Sequence, residues 1–235
     1  MTPLVSILMP AWQAQRFVAA AIGSIQAQTC PNWELIVCED GSDDETLDEI
    51  YRAAHDDARI HVVIGEHAGQ AESLNRAAAK ATGTYLGRLD ADDMDHPERI
   101  ARQIGILDES QELTHVTCDM AYIDEDGQFI RNVPVGPMDV AGYTNGENGV
   151  CNASAVWYRQ FHVEHGLTWK AEHDVSCDTD YNLQSIAAGG KWGFLPKPWY
   201  YQRRHQGQMT KRLGGEMIAK HLELMARYRR GEYGH

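Results

Sequence analysis

The chain has 235 residues, of which 43% are hydrophobic, and its formal net charge at pH 7 is −13. This length supports one sizeable core and is short for two ordinary domains with a linker, so we expect a single globular unit. The negative charge disfavours a broad nucleic-acid surface, because phosphate groups are bound by clustered Lys and Arg. No apolar run reaches the roughly 18 to 20 residues that cross a bilayer, and the N-terminus lacks a secretory leader pattern, so no transmembrane segment is predicted.

The cysteines are five in number and scattered, and no two form the CxxC pair that is typical of zinc sites and redox centres. This usage predicts a reducing, cytoplasmic location. An acidic protein that handles an anionic substrate needs a local cation, and a divalent metal ion is the usual one.

The first half of the chain alternates short apolar runs with helical patterns, which is typical of βαβ units around a mainly parallel sheet. The expected fold class is therefore α/β, with helices flanking the sheet. Strands are predicted at Val5 to Met9, Leu35 to Cys38, Ile60 to Ile64 and Tyr85 to Leu89. Helices are predicted at Phe17 to Ile25, Thr46 to Ala54 and Ala71 to Ala81, the last closed by Gly83.

The pattern after the fourth strand is less regular. Asp95 and Glu98 are spaced as a capping box around Pro97, which predicts a helix that ends near Leu107. Further strands are predicted at Leu113 to Met120 and Gln128 to Val133, joined by a turn at residues 124–127.

Two later segments have different compositions. Residues 134–150 are rich in Gly, Pro and Asn, which predicts a loop. Residues 216–228 set apolar side chains among basic ones, which predicts an amphipathic helix. We expect its apolar face to pack on the protein's own core; a homodimer contact and a peripheral membrane contact are the alternatives.

Polar and acidic residues follow three of the predicted strands. In open α/β sheets ligands bind beyond the carboxyl ends of the strands, so these residues form the candidate site. Carboxylates at one rim repel each other unless a cation or hydrogen-bond donors compensate them, and their hard oxygens suit Mg²⁺ or Mn²⁺. Turn formation is the simpler interpretation of Asp43, Asp44 and Asp95. The strand-end segments are Pro10-Ala11-Trp12, Glu39-Asp40-Gly41-Ser42 and Asp90-Ala91-Asp92-Asp93.

These segments carry a family resemblance. The sequence Val5 to Pro10, then Glu39 to Ser42, then Gly83 to Asp93, resembles the family 2 glycosyltransferases of the GT-A fold. The likeness covers about residues 4–212 and implies a Rossmann-like nucleotide-diphospho-sugar transferase fold. It continues in Ile123 to Gly127, in Asp180 to Leu183, and in Gly193 to His205, which is similar to the family's closing strand and loop.

The resemblance implies a nucleotide pocket at the ends of the first two strands. Pro10, Ala11 and Trp12 would line it, and Asp40 would hydrogen-bond the base. Glu39 stands where the family more often has a second Asp, so the division of roles between Glu39 and Asp40 stays open.

The fourth strand end resembles the family's DXD motif. Asp90 would contact the ribose beside Ala91, and Asp92 would ligate the Mn²⁺ or Mg²⁺ ion that bridges the diphosphate. Asp93 would either assist or act as a charge at a helix N-terminus.

A second carboxylate would act on the acceptor. The acceptor hydroxyl loses a proton as it attacks an oxocarbenium-like carbon, and a positioned carboxylate can take that proton. The resemblance makes Asp180 the candidate catalytic base. Thr179 replaces the Glu of the family's usual Glu-Asp pair, so Asp178 is the alternative.

A basic cluster lies near the end of the resemblance. Arg203, Arg204 and His205 stand where related enzymes can place a loop over the donor, and Lys211 and Arg212 follow. We expect the two arginines to meet the diphosphate, and His205 either to ligate the metal or to meet the diphosphate as well.

Together these features predict a metal-dependent inverting glycosyltransferase that moves a sugar from a nucleotide-diphosphate sugar, with UDP favoured, to a hydroxyl of a glycan or another acceptor. We expect one GT-A domain over residues 1–235, with a donor half at about 1–95, an acceptor half at about 110–212 and a C-terminal helix at 213–235. A nucleotidyltransferase is one alternative, although the Gly-rich loop of that class is absent after the first strand. A non-catalytic nucleotide-sugar-binding protein is the other.

Overall fold

The computed structural model describes residues 4–234. The strands are β1 (Val5–Ala11), β2 (Trp33–Glu39), β3 (Ile60–Ile64), β4 (Tyr85–Arg88), β5 (Met94–Asp95), β6 (His115–Ile123), β7 (Phe129–Val133), β8 (Val156–Tyr158) and β9 (Trp192–Arg203). The helices are α1 (Val18–Gln26), α2 (Thr46–Ala54), α3 (Gln70–Ala78), α4 (Arg99–Glu109), α5 (Val140–Asn145), α6 (Arg159–Glu164), α7 (Cys177–Ala187), α8 (Met209–Arg212) and α9 (Gly214–Arg229). Short 3₁₀ helices lie at Asn152–Ser154 and Ala171–Ser176.

The strands of the described residues form one nine-stranded sheet in the order β3-β2-β1-β4-β8-β6-β9-β5, with β7 beside β6. Strands β1 to β4 are parallel, and β6 and β9 also pair in parallel. Strands β5, β7 and β8 run against this common direction. The prediction of a mainly parallel sheet flanked by helices is confirmed.

Strand β1 is buried on both faces because helices cover both sides of the sheet. Val5, Ile7 and Met9 pack in an apolar cluster with α1, whereas Leu8 packs in a second cluster with α3. Alternate side chains of a strand point to opposite faces, so an unbroken apolar run fits a strand that is covered twice. Each fully buried aliphatic side chain contributes about 1.5–3 kcal/mol by leaving water. The end of this strand is therefore a rigid support for the residues that follow.

Gly83 does not cap the preceding helix, contrary to the prediction. Helix α3 ends at Ala78, and Gly83 lies against β1, where its N–H donates to Ser6 Oγ at 2.8 Å. A Cβ atom on Gly83 would come within 2.8 Å of the Ser6 backbone nitrogen. The glycine is needed because two backbone segments approach closely at this point.

The predicted capping box before α4 is also wrong. The N-cap residue Glu98 makes no side-chain cap hydrogen bond, and Asp95 instead forms a fully buried ion pair with Arg99. Burial raises the pKa of the Asp95 carboxyl to about 6, although the Arg99 charge opposes that shift. A buried ion pair needs further hydrogen bonds to be tolerated, and Arg99 also donates to the carbonyls of Ser154 and Arg88. Asp95 therefore ties α4 to the sheet and is not a turn former.

The segment 134–150, predicted as a loop, contains helix α5. Asp139 caps this helix by accepting a hydrogen bond from the Gly142 N–H at 2.8 Å. The helix ends at Gly146, whose φ of 78° is a left-handed conformation that favours glycine.

The C-terminal helix α9 is amphipathic, as predicted. Leu224 and Met225 of α9 pack with Leu183 of α7 and Tyr143 of α5 in a third, smaller apolar cluster. The expectation that this helix packs on the protein's own core is confirmed. No helix within residues 4–234 is both long and apolar enough to span a membrane.

Candidate active site

The three strand ends that the sequence singled out lie together. Strand β1 pairs with β2 on one side and with β4 on the other, which places Ala11 beside Glu39 and Leu8 beside Arg88. Because the three strands are parallel, their carboxyl ends meet at one edge of the sheet. We call this edge the rim and define it by residues 10–13, 39–43 and 90–93.

An aromatic surface forms one end of the rim. The Trp12 side chain is 41% exposed, and its indole stacks on the His67 ring with 4.6 Å between ring centroids. The Arg212 guanidinium also lies over the Trp12 ring, 5.9 Å from its centroid. An exposed indole of this kind can stack with a planar ligand.

Asp40 lies buried below this aromatic surface. Its carboxylate accepts hydrogen bonds from the backbone N–H groups of Ala68 and Gly69, and its Oδ2 lies 2.8 Å from His67 Nδ1. These contacts fix the loop between β3 and α3 against the end of β2. Asp40 thus holds His67 in place beneath Trp12.

Glu39 shapes the turn that follows β2. Its side chain accepts hydrogen bonds from the N–H groups of Gly41, at 3.2 Å, and Ser42, at 2.7 Å. Ser42 Oγ in turn accepts the Gln13 N–H at 3.0 Å, which joins this turn to the end of β1. Gly41 has a φ of +67°, and a Cβ there would lie 2.8 Å from the His67 nitrogen. The Glu39 side chain therefore supports the rim from below.

The remaining apolar residues of the rim are mostly covered. Ala11 and Ala91 are buried, whereas Pro10 is partly exposed. The roles predicted for Ala11 and Ala91 in a nucleotide pocket stay predictions, and their burial leaves little side-chain surface for a ligand to contact.

The two predicted metal ligands lie next to each other. His205 Nε2 is 2.9 Å from Asp92 Oδ2, and the Asp92 side chain is 30% exposed. The His205 ring packs on Phe17, with 4.6 Å between centroids, which fixes its position. Within residues 4–234 no group of three His, Cys, Asp or Glu side chains is arranged to hold a metal ion by itself. Asp92 and His205 could therefore hold a metal ion only together with ligands that a bound substrate supplies.

Asp93 and Arg203 are buried and have structural partners. The Asp93 carboxylate accepts hydrogen bonds from the Tyr200 hydroxyl and, at 2.7 Å, from the Arg203 N–H. Burial raises the pKa of Asp93 well above its usual value, and the charges of neighbouring aspartates add to the shift. Asp93 thereby joins the rim to β9, and the two roles predicted for it, at the metal or at a helix N-terminus, stay predictions.

The contacts of Arg203 do not favour the predicted interaction of its side chain with the diphosphate. Its guanidinium donates to the backbone carbonyls of Asp92, Asp124 and Glu125, and it lies 5.0 Å from the Phe17 ring centroid. These contacts hold the turn between β6 and β7 and leave Arg203 buried.

Arg204 is partly exposed and lies over the Tyr122 ring at 4.8 Å. Arg212, which follows these two arginines in the basic cluster, is exposed and lies over the Trp12 ring. The phosphate role of Arg203 and Arg204 stays a prediction that these contacts do not favour.

Arg88 joins Asp90 of the rim to Asp178 of α7. Arg88, the last residue of β4, donates to Asp90 Oδ1 through Nε at 3.1 Å and through Nη2 at 2.9 Å, and its Nη1 donates to Asp178 Oδ1. The Arg88 side chain is 3% exposed, whereas that of Asp178 is 24% exposed. Burial raises the pKa of Asp90, and the Arg88 charge opposes this shift.

Asp180, the predicted base, lies on the opposite face of α7. Its side chain is 0% exposed and accepts hydrogen bonds from Gln184 Nε2, at 2.6 Å, and from the Tyr233 hydroxyl. Lys170 Nζ lies 3.7 Å away. Two positions along a helix rotate a side chain by about 200°, so Asp178 and Asp180 cannot face the same site. The base role of Asp180 stays a prediction, and the geometry favours Asp178.

Two site residues were missed by sequence reasoning. Arg88 carried a signal, because a charged residue inside a predicted buried strand needs a partner. His67 carried none, since it lies in a loop and reaches Trp12 and Asp40 only through the fold.

Comparison with known proteins identifies the family. The family model described as Glycosyl transferase family 2 matches residues 6–166. The chain belongs to this family. The predicted resemblance is thereby confirmed, and this membership favours glycosyl transfer over the nucleotidyltransferase alternative.

Several named relatives are longer than this chain. The protein EpsE of Bacillus subtilis (strain 168) is 37% identical over 127 residues, which are 53% of this chain and 46% of the relative. The UDP-Glc:alpha-D-GlcNAc-diphosphoundecaprenol beta-1,3-glucosyltransferase WfgD of Escherichia coli is 37% identical over 105 residues, 44% of this chain and 41% of WfgD. The hyaluronan synthase of Pasteurella multocida is 28% identical over 222 residues, 90% of this chain and 22% of the synthase. The chain spans less than half the length of each.

Solved structures share the fold. TarS 1–349 of S. aureus in complex with UDP-GlcNAc has a TM-score of 0.74 at 16% identity, covering 96% of this chain and 71% of that one. The mannosyltransferase PcManGT of Pyrobaculum calidifontis in complex with GDP-Man and Mn²⁺ has a TM-score of 0.63 at 15% identity, covering 100% and 76%. The predicted GT-A fold is confirmed by these likenesses and by the family.

Proposed function

We propose that this chain carries out inverting transfer of a sugar from a nucleoside diphosphate sugar, with UDP favoured, to a hydroxyl group of a glycan. The observation that carries this proposal is the set of groups found at and beside the rim. They are an exposed indole at Trp12, the Asp92–His205 pair, and the partly exposed Asp178 carboxylate, which Arg88 links to Asp90. The indole could stack with the nucleobase, the Asp92–His205 pair could hold a metal ion at the diphosphate, and the Asp178 carboxylate could accept the proton of the acceptor hydroxyl.

The nucleotide would lie at the Trp12 end. A nucleobase stacked on an aromatic side chain gains about 1–3 kcal/mol in other complexes. We propose that the nucleobase stacks on Trp12 beside Pro10. The role of Asp40 in hydrogen-bonding the nucleobase stays a prediction, because its buried carboxylate already has Ala68, Gly69, His67 and Arg76 as partners. Asp90, which is partly exposed beside Arg88, is proposed to meet the ribose.

The metal would lie at Asp92 and His205. A carboxylate oxygen and an imidazole nitrogen suit Mn²⁺, and two protein ligands leave positions for phosphate oxygens and water. When bound, Mn²⁺ or Mg²⁺ stabilises the negative charge that develops on the leaving diphosphate. The structure of PcManGT with GDP-Man and Mn²⁺ supports a metal in this fold.

Asp178 is the proposed catalytic base. It is partly open to solvent, and it lies beside Asp90 through their shared partner Arg88. A carboxylate at this point can accept the proton of an acceptor hydroxyl. Asp180 lacks such access because the C-terminal segment covers it.

The relatives support a choice of donor and acceptor. TarS structures contain UDP and UDP-GlcNAc, and the name of WfgD specifies transfer of Glc from UDP-Glc. Other relatives are named hyaluronan synthase and chondroitin synthase. We therefore propose a UDP-sugar donor and an acceptor in polysaccharide or glycoconjugate synthesis.

The position of the rim at the ends of β1, β2 and β4 supports a division of the chain. We propose that residues to about 95 bind the donor, that residues 110–212 shape the acceptor side, and that the segment 213–235 supports α7. The cytoplasmic location, the homodimer and the peripheral membrane contact stay predictions.

Nucleotide release tests the proposed function. The protein is incubated with Mn²⁺ and a glycan acceptor mixture, and with UDP-Glc, UDP-GlcNAc or GDP-Man, while the nucleoside diphosphate released is measured. Release from a UDP-sugar that a chelator suppresses is the expected result. If UDP raises the melting temperature but no donor is consumed, the chain is the non-catalytic binding protein instead.

A further inference from the structure

We propose that Arg88 is a positioning residue that holds the donor-side Asp90 and the proposed base Asp178 in one fixed arrangement. This proposal rests on the proposed function, since it assigns Asp178 to the acceptor. One buried guanidinium would set the geometry of both carboxylates, so that donor binding and proton removal depend on the same side chain.

The geometry of Arg88 divides its donors between the two acids. Nε and Nη2 both donate to Asp90 Oδ1, at 3.1 and 2.9 Å, while Nη1 donates to Asp178 Oδ1. The guanidinium is planar and its donors point in fixed directions, so the positions of the two carboxylates are fixed relative to each other. A Lys ammonium is a single point charge and could not reproduce this arrangement.

The backbone of Arg88 is itself rigid. Arg88 is the last residue of β4, which lies between β1 and β8 in the sheet. The Arg88 N–H donates to the Ala155 carbonyl at 3.1 Å, and the Arg88 carbonyl accepts from Arg99 Nη2 at 3.0 Å. The guanidinium therefore extends from a strand end that is held on several sides, as a precise site requires.

Electrostatics explains why a cation is needed here. Asp90 experiences the negative charges of both Asp92 and Asp178, and without a cation these carboxylates would repel each other. Burial alone lowers the pKa of the Arg88 guanidinium, but Asp178 and Asp90 raise it by more, so Arg88 keeps its charge. Removing it would leave two carboxylates free to turn apart.

A pair of double-mutant cycles tests the proposal. The first measures the rate of UDP release from the UDP-sugar that the wild type uses fastest, in Arg88→Met, Asp178→Asn and the double variant. The second measures UDP affinity with Mn²⁺ by calorimetry, in Arg88→Met, Asp90→Asn and their double variant. Arg52→Met, which removes an exposed arginine on α2, is the matched control.

Arg88→Met is expected to lower kcat about 10- to 100-fold in the wild type but less than about 3-fold in the Asp178→Asn background, because residues that act together are not additive. UDP affinity should fall about 3- to 10-fold in Arg88→Met. When Asp90→Asn is already present, adding Arg88→Met should lower UDP affinity no further. Arg88→Lys should recover only part of kcat, since it keeps the charge without the geometry. Arg52→Met should behave as wild type.

Equal fold-losses of kcat in both backgrounds, or full recovery by Arg88→Lys, would overturn the proposal, because a general loss of stability multiplies defects in this way. A wild type that binds UDP but consumes no donor would overturn the transferase assignment alone. In that case the UDP-affinity cycle still tests whether Arg88 positions Asp90. If the losses of UDP affinity in Arg88→Met and Asp90→Asn multiply in the double variant, Arg88 does not act through Asp90.

Discussion

Aspartates have different surroundings at the rim and in the buried network around Asp180 of α7, which we call the α7 network. Asp92 of the rim and Asp178, which Arg88 links to the rim, are partly exposed. Within residues 4–234, Asp92 pairs with His205 and Asp178 pairs with Arg88. In the α7 network, Asp180 is fully buried and is surrounded by Gln184, Lys170 and Tyr233. A carboxylate with open lone pairs can act on a ligand, whereas one whose lone pairs are filled supports the fold.

The comparison is sharpest between Asp178 and Asp180. Asp178→Asn should lower transfer about 10²- to 10⁴-fold, because the amide cannot take the acceptor's proton, and should leave UDP affinity nearly unchanged. Asp180→Asn is the matched control, two residues away, and should keep most of the transfer rate at a lower melting temperature. The rates are measured as UDP release, with melting temperature and UDP affinity in parallel. An active Asp178→Asn beside an inactive Asp180→Asn would restore the base role to Asp180.

Loss of the proposed metal ligand Asp92 should lower the affinity for UDP more than the loss of the proposed catalytic base does. Asp92→Ala removes one of two proposed protein ligands, so UDP affinity in Mn²⁺ should fall about 10- to 100-fold, by analogy with other losses around metal sites. Calorimetry with Mn²⁺ and with a chelator measures this. Asp56→Ala, an exposed carboxylate on the surface, serves as the control. Equal UDP affinities of wild type and Asp92→Ala in both solutions would remove the metal from Asp92.

The α7 network should respond in stability and not in donor binding. Tyr233→Phe removes the hydroxyl that donates to Asp180, and a buried acceptor left without a partner costs about 1–3 kcal/mol. Urea unfolding measures the loss, and UDP affinity should stay at the wild-type value. Tyr51→Phe removes an exposed hydroxyl on α2 and should change neither quantity. An unchanged unfolding free energy in Tyr233→Phe would show that Asp180 does not need this partner.

The last effect concerns the acid stability of the core behind α7. Burial lowers the pKa of His115 to about 3 and that of His162 to about 4. Each is therefore neutral in the folded protein, and its contribution is complete above the unfolded pKa of about 6.5. The contribution is lost as the pH falls from there towards the folded pKa, at roughly 1 kcal/mol per pH unit for each histidine.

Unfolding in urea at pH 7.5 and at pH 5.0 measures this dependence. Asp95, whose pKa burial raises to about 6, acts in the opposite direction, so the test is a difference between variants. His115→Gln should lose less stability on acidification than the wild type does, while the exposed His55→Gln should match the wild type. Identical slopes for His115→Gln and wild type would show that His115 is not neutral in the fold.

Much of the fold of residues 4–95 was predictable because the information for it is local. The alternation of apolar runs and helical patterns placed β1, β2 and β4, and the polar residues after them had to meet at one edge. Local rules failed where burial decided. Asp95 had the spacing of a capping residue, yet Arg99 takes it as a buried partner because α4 packs on the sheet.

The sequence by itself determined the fold class, the family and the strand ends that form the rim, since the side-chain period of a strand and the order of parallel strands follow from short segments. Only the tertiary structure decided which carboxylate of α7 faces the rim. The partners are 90 residues apart for Arg88 and Asp178 and 53 apart for Tyr233 and Asp180. The face of a helix that meets a site depends on the packing of such distant segments, and no local pattern in α7 specifies it.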